Sequence, residues 1–323
     1  MTRISLFDGS DRDRPGLAAG LMAVSLFVLG LQDGLVRLAG AETSLWQFQL
    51  MRSAGNLCFL LVLARAVWGT LPRRPQKFWA VTVRSVLLLI TALFFFGGLP
   101  QVTLAQMGAG LYTYPIFVTI LSGVLLGENV GIRRIGAVLA GATGALLILQ
   151  PGSEDFSWIK VLPVGAGFSY ACMVIVTRRF CRQESPVTLA TGVALAYFTA
   201  STLGLAVLSA FPPSEAIQQT VPYIARAWLP LTGLLVGTAV VCSMLNVLAN
   251  LGLTMAYQNA ESSWLAPIDY CYLIFATLWG LVLFGDFPDG LSLLGMALIA
   301  GAGAFTAWRE RQLGRTAVKP SAR

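Results

Sequence analysis

Residues 112–128 read YTYPIFVTILSGVLLGE, and residues 270–286 read YCYLIFATLWGLVLFGD. Tyr112-Thr-Tyr-Pro-Ile-Phe followed by Gly127-Glu128 thus returns as Tyr270-Cys-Tyr-Leu-Ile-Phe followed by Gly285-Asp286. Gly136 and Gly144 just after the first copy are likewise answered by Gly295 and Gly303 after the second. The chain therefore carries an internal repeat, and both copies are long, apolar and almost free of charge.

Such runs recur along the whole chain. A hydrocarbon core about 30 Å thick needs roughly 20 apolar residues of helix to cross it. Ten segments qualify: Gly16–Leu38, Leu45–Trp68, Phe78–Leu99, Val102–Leu126, Gly131–Leu149, Trp158–Arg178, Val187–Phe211, Ala227–Leu253, Ser262–Phe284 and Leu291–Trp308. The most polar interruption, QPGSEDFS at 150–157, divides them five and five. The expected fold is an all-α polytopic membrane protein of ten transmembrane helices in two inverted five-helix repeats. Its parts are a tail at 1–15, repeats at 16–150 and 151–308, and a second tail at 309–323. An odd number of helices per repeat makes the second copy enter the bilayer upside down, the arrangement of transporters whose substrate site lies near the midplane.

Charge sets the expected orientation. Most of the 22 Lys and Arg residues fall in alternate connections. One set holds Arg3, Arg12 and Arg14, then Arg65, Arg73, Arg74 and Lys77, then Arg133 and Arg134, then Arg178, Arg179 and Arg182, and the C-terminal Arg309, Arg311, Arg315, Lys319 and Arg323. The opposite set has only Lys160 and Arg226. By the positive-inside tendency both termini are expected in the cytoplasm, in a bacterial-type inner membrane. The net charge of +7 is then a topology signal, and no nucleic-acid partner is expected. The first fifteen residues lack the apolar core of a cleavable signal peptide.

Other function classes are weakened by what is missing. The chain has no histidine, which removes the commonest general base and metal ligand. Its five cysteines are scattered at unrelated spacings and suggest neither a disulfide framework nor a thiolate metal site. No phosphate-binding Gly-rich loop ending in Lys-Ser/Thr is present. No catalytic residue, cofactor or metal is expected, and the chain reads as a carrier and not an enzyme.

The stretches Phe117–Glu128 with Arg133-Arg134, Ala266-Pro-Ile-Asp-Tyr270 and Phe284-Gly-Asp-Phe-Pro-Asp289 carry a family resemblance that covers essentially the whole chain. The sequence resembles the drug/metabolite transporter superfamily, specifically its EamA-type ten-helix permeases. Asp33 and Arg37, Arg52 and the Ala-Pro-Ile-Asp-Tyr stretch look most similar to the branch of S-adenosylmethionine uptake carriers. Riboflavin carriers and amino-acid or amine exporters look alike at this level. The resemblance implies a cavity walled by the first four helices of each half, with the fifth and tenth at the periphery. The chain departs from the pattern at Gln106, where relatives often carry an acidic residue.

Ionisable groups within the hydrocarbon span are costly and so are default candidates for function. They are Asp33, Arg37, Arg52, Arg84 and Asp269, with Glu261 at a helix end. Helical rise places Asp33 and Arg52 roughly 8 to 12 Å below the outer surface, where they can pair. Arg37 follows Asp33 at the spacing that brings opposite charges together on one helix face. Arg52 needs a carboxylate, a carbonyl or a substrate anion. Pro267 interrupts the helix ladder two residues before Asp269, so freed carbonyls and a carboxylate share one place. Tyr112, Tyr114, Trp264, Tyr270 and Tyr272 offer aromatic faces beside these carboxylates, which suit a cationic or sulfonium group. Gln106 and Asn246 are further polar positions on apolar helices, and each needs a partner in hydrocarbon.

The expected substrate is a small cationic or zwitterionic metabolite, amino-acid-like or nucleoside-like, moved by alternating access. Asp33 and Asp269 face its positive groups and Arg52 orients a carboxylate. Membrane lipids are the other expected partner, protons are a candidate coupling ion, and a homodimer is a candidate assembly. The rival readings are an exporter of amino acids or amines or a riboflavin-type carrier on the same fold, and a lipid-linked flippase on the same scaffold, which calls for a lateral opening.

Overall fold

A computed structural model describes residues 15–68, 74–98, 101–126, 132–150, 157–259, 265 and 268–317. Among these residues the regular structure is entirely helical. The helices are α1 (Pro15–Ala39), α2 (Leu45–Leu63, extended by a π-helical turn Ala64–Trp68), α3 (Phe78–Gly97), α4 (Leu104–Leu111), α5 (Tyr114–Leu126) and α6 (Ile132–Leu149). A 3-10 turn, Trp158–Val161, leads into α7 (Leu162–Phe180), then α8 (Pro186–Ala210), the short α9 (Glu215–Thr220) and α10 (Pro222–Ala225), α11 (Gly233–Asn259), α12 (Cys271–Phe284) and α13 (Gly290–Ala317).

Six helical stretches are long and apolar enough to cross a membrane by length and composition, and Ile135–Leu149, Cys271–Phe284 and Gly290–Phe305 are shorter apolar helices. α2 stands apart because it carries Gln47, Gln49, Arg52 and Asn56, the first three of which are buried inside the bundle. Large apolar side chains face outward along the helices, among them Val124, Leu139, Leu234, Val62 and Ile274. An apolar surface this extensive is untenable in water and normal in lipid. The chain is a multi-pass membrane protein.

Local chemistry fixes the helix ends. Ser44 accepts a hydrogen bond from the Gln47 backbone N–H at the start of α2, and Ser185 does the same for Thr188 ahead of Pro186 in α8. Thr103 and Gln106 form a reciprocal capping box at the start of α4. α12 closes on Gly285 at φ 71°, a left-handed turn that glycine adopts without strain. The run expected as one helix from Val102 to Leu126 is broken between α4 and α5. Pro115 has no N–H to continue the ladder, and the Thr113 hydroxyl takes up the Gly110 carbonyl at 2.6 Å. Its counterpart in the other half also begins a new helix at Tyr270–Cys271.

The packing has a regular order. α1 lies mainly on α11, and α3 on α7. α1 also packs on α12, and α7 on α4 and α5; α2 packs on α11, and α8 on α3. α2 with α8, α4 with α12 and α6 with α13 complete the principal pairings. Exchanging α1, α2, α3, α4–α5 and α6 with α7, α8, α11, α12 and α13 leaves these pairings unchanged. α6 and α13 run antiparallel: a Cβ at Gly141 would lie 3.8 Å from Ala302, one at Gly144 would meet the Gly295 carbonyl, and one at Gly295 would meet Ile148. Small residues at this crossing let two backbones touch, which in lipid takes the place of hydrophobic driving force.

Hydrogen bonds tie the connections together at each end of the bundle. At one end Arg37 pairs with Asp286, Gln150 donates to Asp289, Trp46 to the Ile224 carbonyl and Ser44 to the Ala227 carbonyl. Gln47 makes two bonds to the Leu229 backbone at this end, one donated and one accepted. At the other end the Lys77 backbone donates to Glu184, Gln76 to the Gln183 carbonyl, and Arg179 to the Leu125 carbonyl. Arg74, Lys77, Arg178, Arg179 and Arg182 thus gather at one end, away from Lys160 and Arg226.

Candidate functional site

Among the described residues two carboxylates lie inside the bundle, one from each half, and each accepts from tyrosine of the other half. Asp33 of α1 accepts a hydrogen bond from the Tyr272 hydroxyl of α12 at 2.6 Å and one from Gln32 Nε2 at 2.9 Å. Asp269, just ahead of α12, accepts from the Tyr112 hydroxyl at 3.3 Å and from Tyr114 at 3.2 Å, on either side of the α4–α5 break. Tyr112 and Tyr272 stack, with ring centroids 5.4 Å apart and 12° between planes, so the two carboxylate clusters share an aromatic wall. Tyr270 packs on Tyr112 at 5.4 Å, and Tyr170 of α7 packs edge-on to Tyr114 at 5.0 Å.

The chain of contacts extends toward α11. Asn246 donates to Gln32 Oε1 at 2.9 Å, which fixes the amide that holds Asp33. Ser243, one helical turn away, donates to the Arg52 backbone carbonyl at 3.0 Å. These polar groups are satisfied by one another in a region without bulk water, where an unmade hydrogen bond is costly.

Arg52 is handled differently. Its side chain is 4 % exposed and lies over the Phe96 ring, 4.9 Å from the centroid. Nε and Nη1 are buried and donate no hydrogen bond. Asp33, Tyr197 and Tyr223 are within electrostatic reach. Arg84 of α3 donates from Nε to Thr177 at 3.0 Å and interacts with Tyr170 and Tyr197.

Seven of the residues singled out from sequence are thereby brought together in one connected interior: Asp33, Arg52, Tyr112, Tyr114, Asp269, Tyr270 and Tyr272, joined through Gln32 by Asn246. Gln106 is not among them. It caps α4 and lines a small cleft with Lys160, Gly110 and Ile148. Trp264, Glu261 and Pro267 lie outside the described residues. Two expected pairings are replaced. Arg37 does not meet Asp33; it pairs with Asp286 and lies over Phe284, 4.1 Å from the ring centroid. Arg52 and Asp33 form no salt bridge; the Asp33 carboxylate accepts from Tyr272 and Gln32 instead. Gln32, Phe96, Tyr197 and Tyr223 complete the interior and were not anticipated. Gln32 was within reach, being an amide on an apolar helix next to Asp33. Tyr223 sits in a connection and carried no such signal.

No family model matches the chain. It is 34 % identical over 203 residues to a riboflavin transporter of Vibrio cholerae, a match that spans 62 % of each chain. It is 30 % identical over 237 residues to a riboflavin transporter of Rhizobium johnstonii, covering 73 % of this chain and 72 % of the relative. An S-adenosylmethionine uptake transporter of Rickettsia bellii is 25 % identical over 201 residues, 62 % of each chain. One solved crystal structure, at 20 % identity, superposes with a TM-score of 0.60 over 91 % of this chain and 98 % of the other, a likeness of fold.

Proposed function

The chain belongs to the drug/metabolite transporter superfamily, and from that membership we propose that it carries a small polar metabolite across the inner membrane by alternating access between two inverted five-helix halves. The halves are residues 16–150 and 151–308, with ten crossings and both termini in the cytoplasm. In this reading the substrate sits where Asp33, Asp269, Arg52 and the tyrosines converge, and its cationic or zwitterionic, amino-acid-like or nucleoside-like groups replace the tyrosine hydroxyls on the carboxylates.

The observation that carries the reading is the reciprocity of the clasp: the first half's carboxylate is held by the second half's tyrosine, and the second half's carboxylate by the first half's tyrosines. Each held carboxylate is a site that a ligand's donors can take over, and the bonds that hold it cross the seam along which the halves must part. The exchange pattern of the packing, the antiparallel α6–α13 pair and the segregated cations support the inverted arrangement. Relatives named for S-adenosylmethionine uptake support the substrate class.

A second reading, a riboflavin-type carrier, is favoured by the Vibrio and Rhizobium relatives and by the stacked Tyr112–Tyr272 wall, which suits a planar ring. The deciding experiment is uptake and efflux by purified protein in liposomes, with S-adenosylmethionine, riboflavin and a panel of amino acids and amines. Asp269→Asn is assayed alongside. Transport of one panel class that falls at least tenfold in the variant supports the site. Equal transport by variant and parent would remove Asp269 from it.

A further inference from the structure

Arg52 is a fully charged group placed where charge is expensive, and the protein leaves two of its three nitrogens without an acceptor. Asp33 is within electrostatic reach but makes no salt bridge to Arg52, and its oxygens accept from Tyr272 and Gln32 instead. The Phe96 face offsets part of the positive charge but accepts no in-plane N–H. Two further buried atoms nearby are also unpaired: the Tyr223 hydroxyl, 3 % exposed and within electrostatic reach of Arg52, and Asn56 Oδ1, one helical turn along the same face of α2. Among the described residues six buried side-chain polar atoms lack a partner; four belong to Arg52, Asn56 and Tyr223, and the other two, Arg84 Nη1 and Ser85 Oγ, lie on α3.

We propose that Arg52 and Tyr223 form a carboxylate-binding subsite, with Asn56 accepting from an N–H of the same head group, so that the transported molecule is an amino-acid-like zwitterion and not a purely cationic or neutral compound. This rests on the carrier reading above. A guanidinium is planar and offers donors on more than one edge, which fits a carboxylate geometrically. Tyr223 reaches Arg52 from α10, in the connection between α8 and α11, so the subsite draws on both halves. The carboxylate and the tyrosine-clasped Asp33 and Asp269 then hold opposite poles of one substrate.

The test uses purified full-length protein and two ligands that differ only in the carboxylate, S-adenosylmethionine and its decarboxylated counterpart, with riboflavin as an uncharged third. Apparent affinities come from the ligand dependence of the melting temperature. The parent protein is expected to bind the carboxylated ligand at least tenfold more tightly than the decarboxylated one. That preference is expected to fall within twofold in Arg52→Gln, to be partly kept in Arg52→Lys, and to shrink severalfold in Tyr223→Phe. The two milder variants keep the test decisive if Arg52→Gln does not fold. A preference that survives Arg52→Gln, equal binding of the two ligands by the parent, or stabilisation by riboflavin with no response to any carboxylate overturns the subsite. In the last case transport of riboflavin in liposomes would leave the carrier reading standing, whereas loss of transport for every panel member would remove that reading as well.

Discussion

Replacement of Gly144 by alanine should destabilise the α6–α13 contact, whereas the same replacement at Gly136 should not. Both glycines lie on α6, two turns apart. A Cβ at Gly144 would stand 2.6 Å from the Gly295 carbonyl oxygen, 3.0 Å from Ile299 and 3.2 Å from the Leu298 Cβ. The first of these is backbone, and ordinary contact begins near 3.4 Å, so the helices must separate by about 0.8 Å. A gap of that size forfeits roughly a quarter to a half of each dispersion contact along the crossing. Overpacking of this kind costs about 1–3 kcal/mol, and in a chain of this size each kcal/mol lowers the melting temperature by roughly 2–4 °C. At Gly136 nothing lies within 4 Å of the added methyl. Alanine there is neutral or slightly stabilising, because glycine is a poor helix former. Tryptophan fluorescence during thermal unfolding in detergent measures both variants. A Gly144→Ala protein that melts with the parent, or a Gly136→Ala protein that loses as much, would refute the close crossing.

Tyr272→Phe removes a 2.6 Å hydrogen bond to a buried carboxylate, a contact worth about 1.5–3 kcal/mol when the acceptor is charged. The loss should be far smaller in an Asp33→Asn background, and a double-mutant cycle on melting that shows no coupling would contradict the clasp. Cysteines placed at Lys160 and Arg226 should react with an impermeant maleimide in intact cells, and cysteines at Arg74 and Arg182 only after permeabilisation; the reverse pattern would invert the orientation. Arg37→Gln should cost under about 1 kcal/mol, as expected of a partly exposed pair, and Arg37→Asp with Asp286→Arg should restore the parent melting temperature at low salt. Hydrogen bonds from Ser292 and Gln150 hold the Asp289 carboxyl below its usual range. A lowered folded-state pKa stabilises the protein above the unfolded value, near pH 4, and the advantage disappears as pH falls through the folded value. The melting difference between the parent and Asp289→Asn should therefore be constant above about pH 5 and shrink below pH 4.

Much of the interior was legible because lipid makes polar residues conspicuous. Asp33, Arg52, Asp269 and Asn246 stand out on apolar helices, and the repeated Tyr-x-Tyr phrases mark Tyr112, Tyr114, Tyr270 and Tyr272 before any coordinates are seen. Partners were harder to read than positions. The i, i+4 spacing pointed Arg37 at Asp33, but the pair that forms joins residues 249 apart in sequence. Local periodicity carries no information about such a contact. The capping role of Gln106 was readable from Thr103-x-x-Gln106 and was overshadowed by its place in an apolar run. Asp33 and Arg52 share a depth, yet depth alone cannot reveal that a tyrosine from the other half has already claimed the carboxylate.

The stacked rings of Tyr112 and Tyr272 link the two acidic centres mechanically. One hydroxyl of the stack points to Asp33 and the other to Asp269, so a movement that parts the rings acts on the contacts of both carboxylates. Because the two clasps meet at a single pair of rings, the carboxylates of the two halves are coupled through one aromatic contact and not through the backbone.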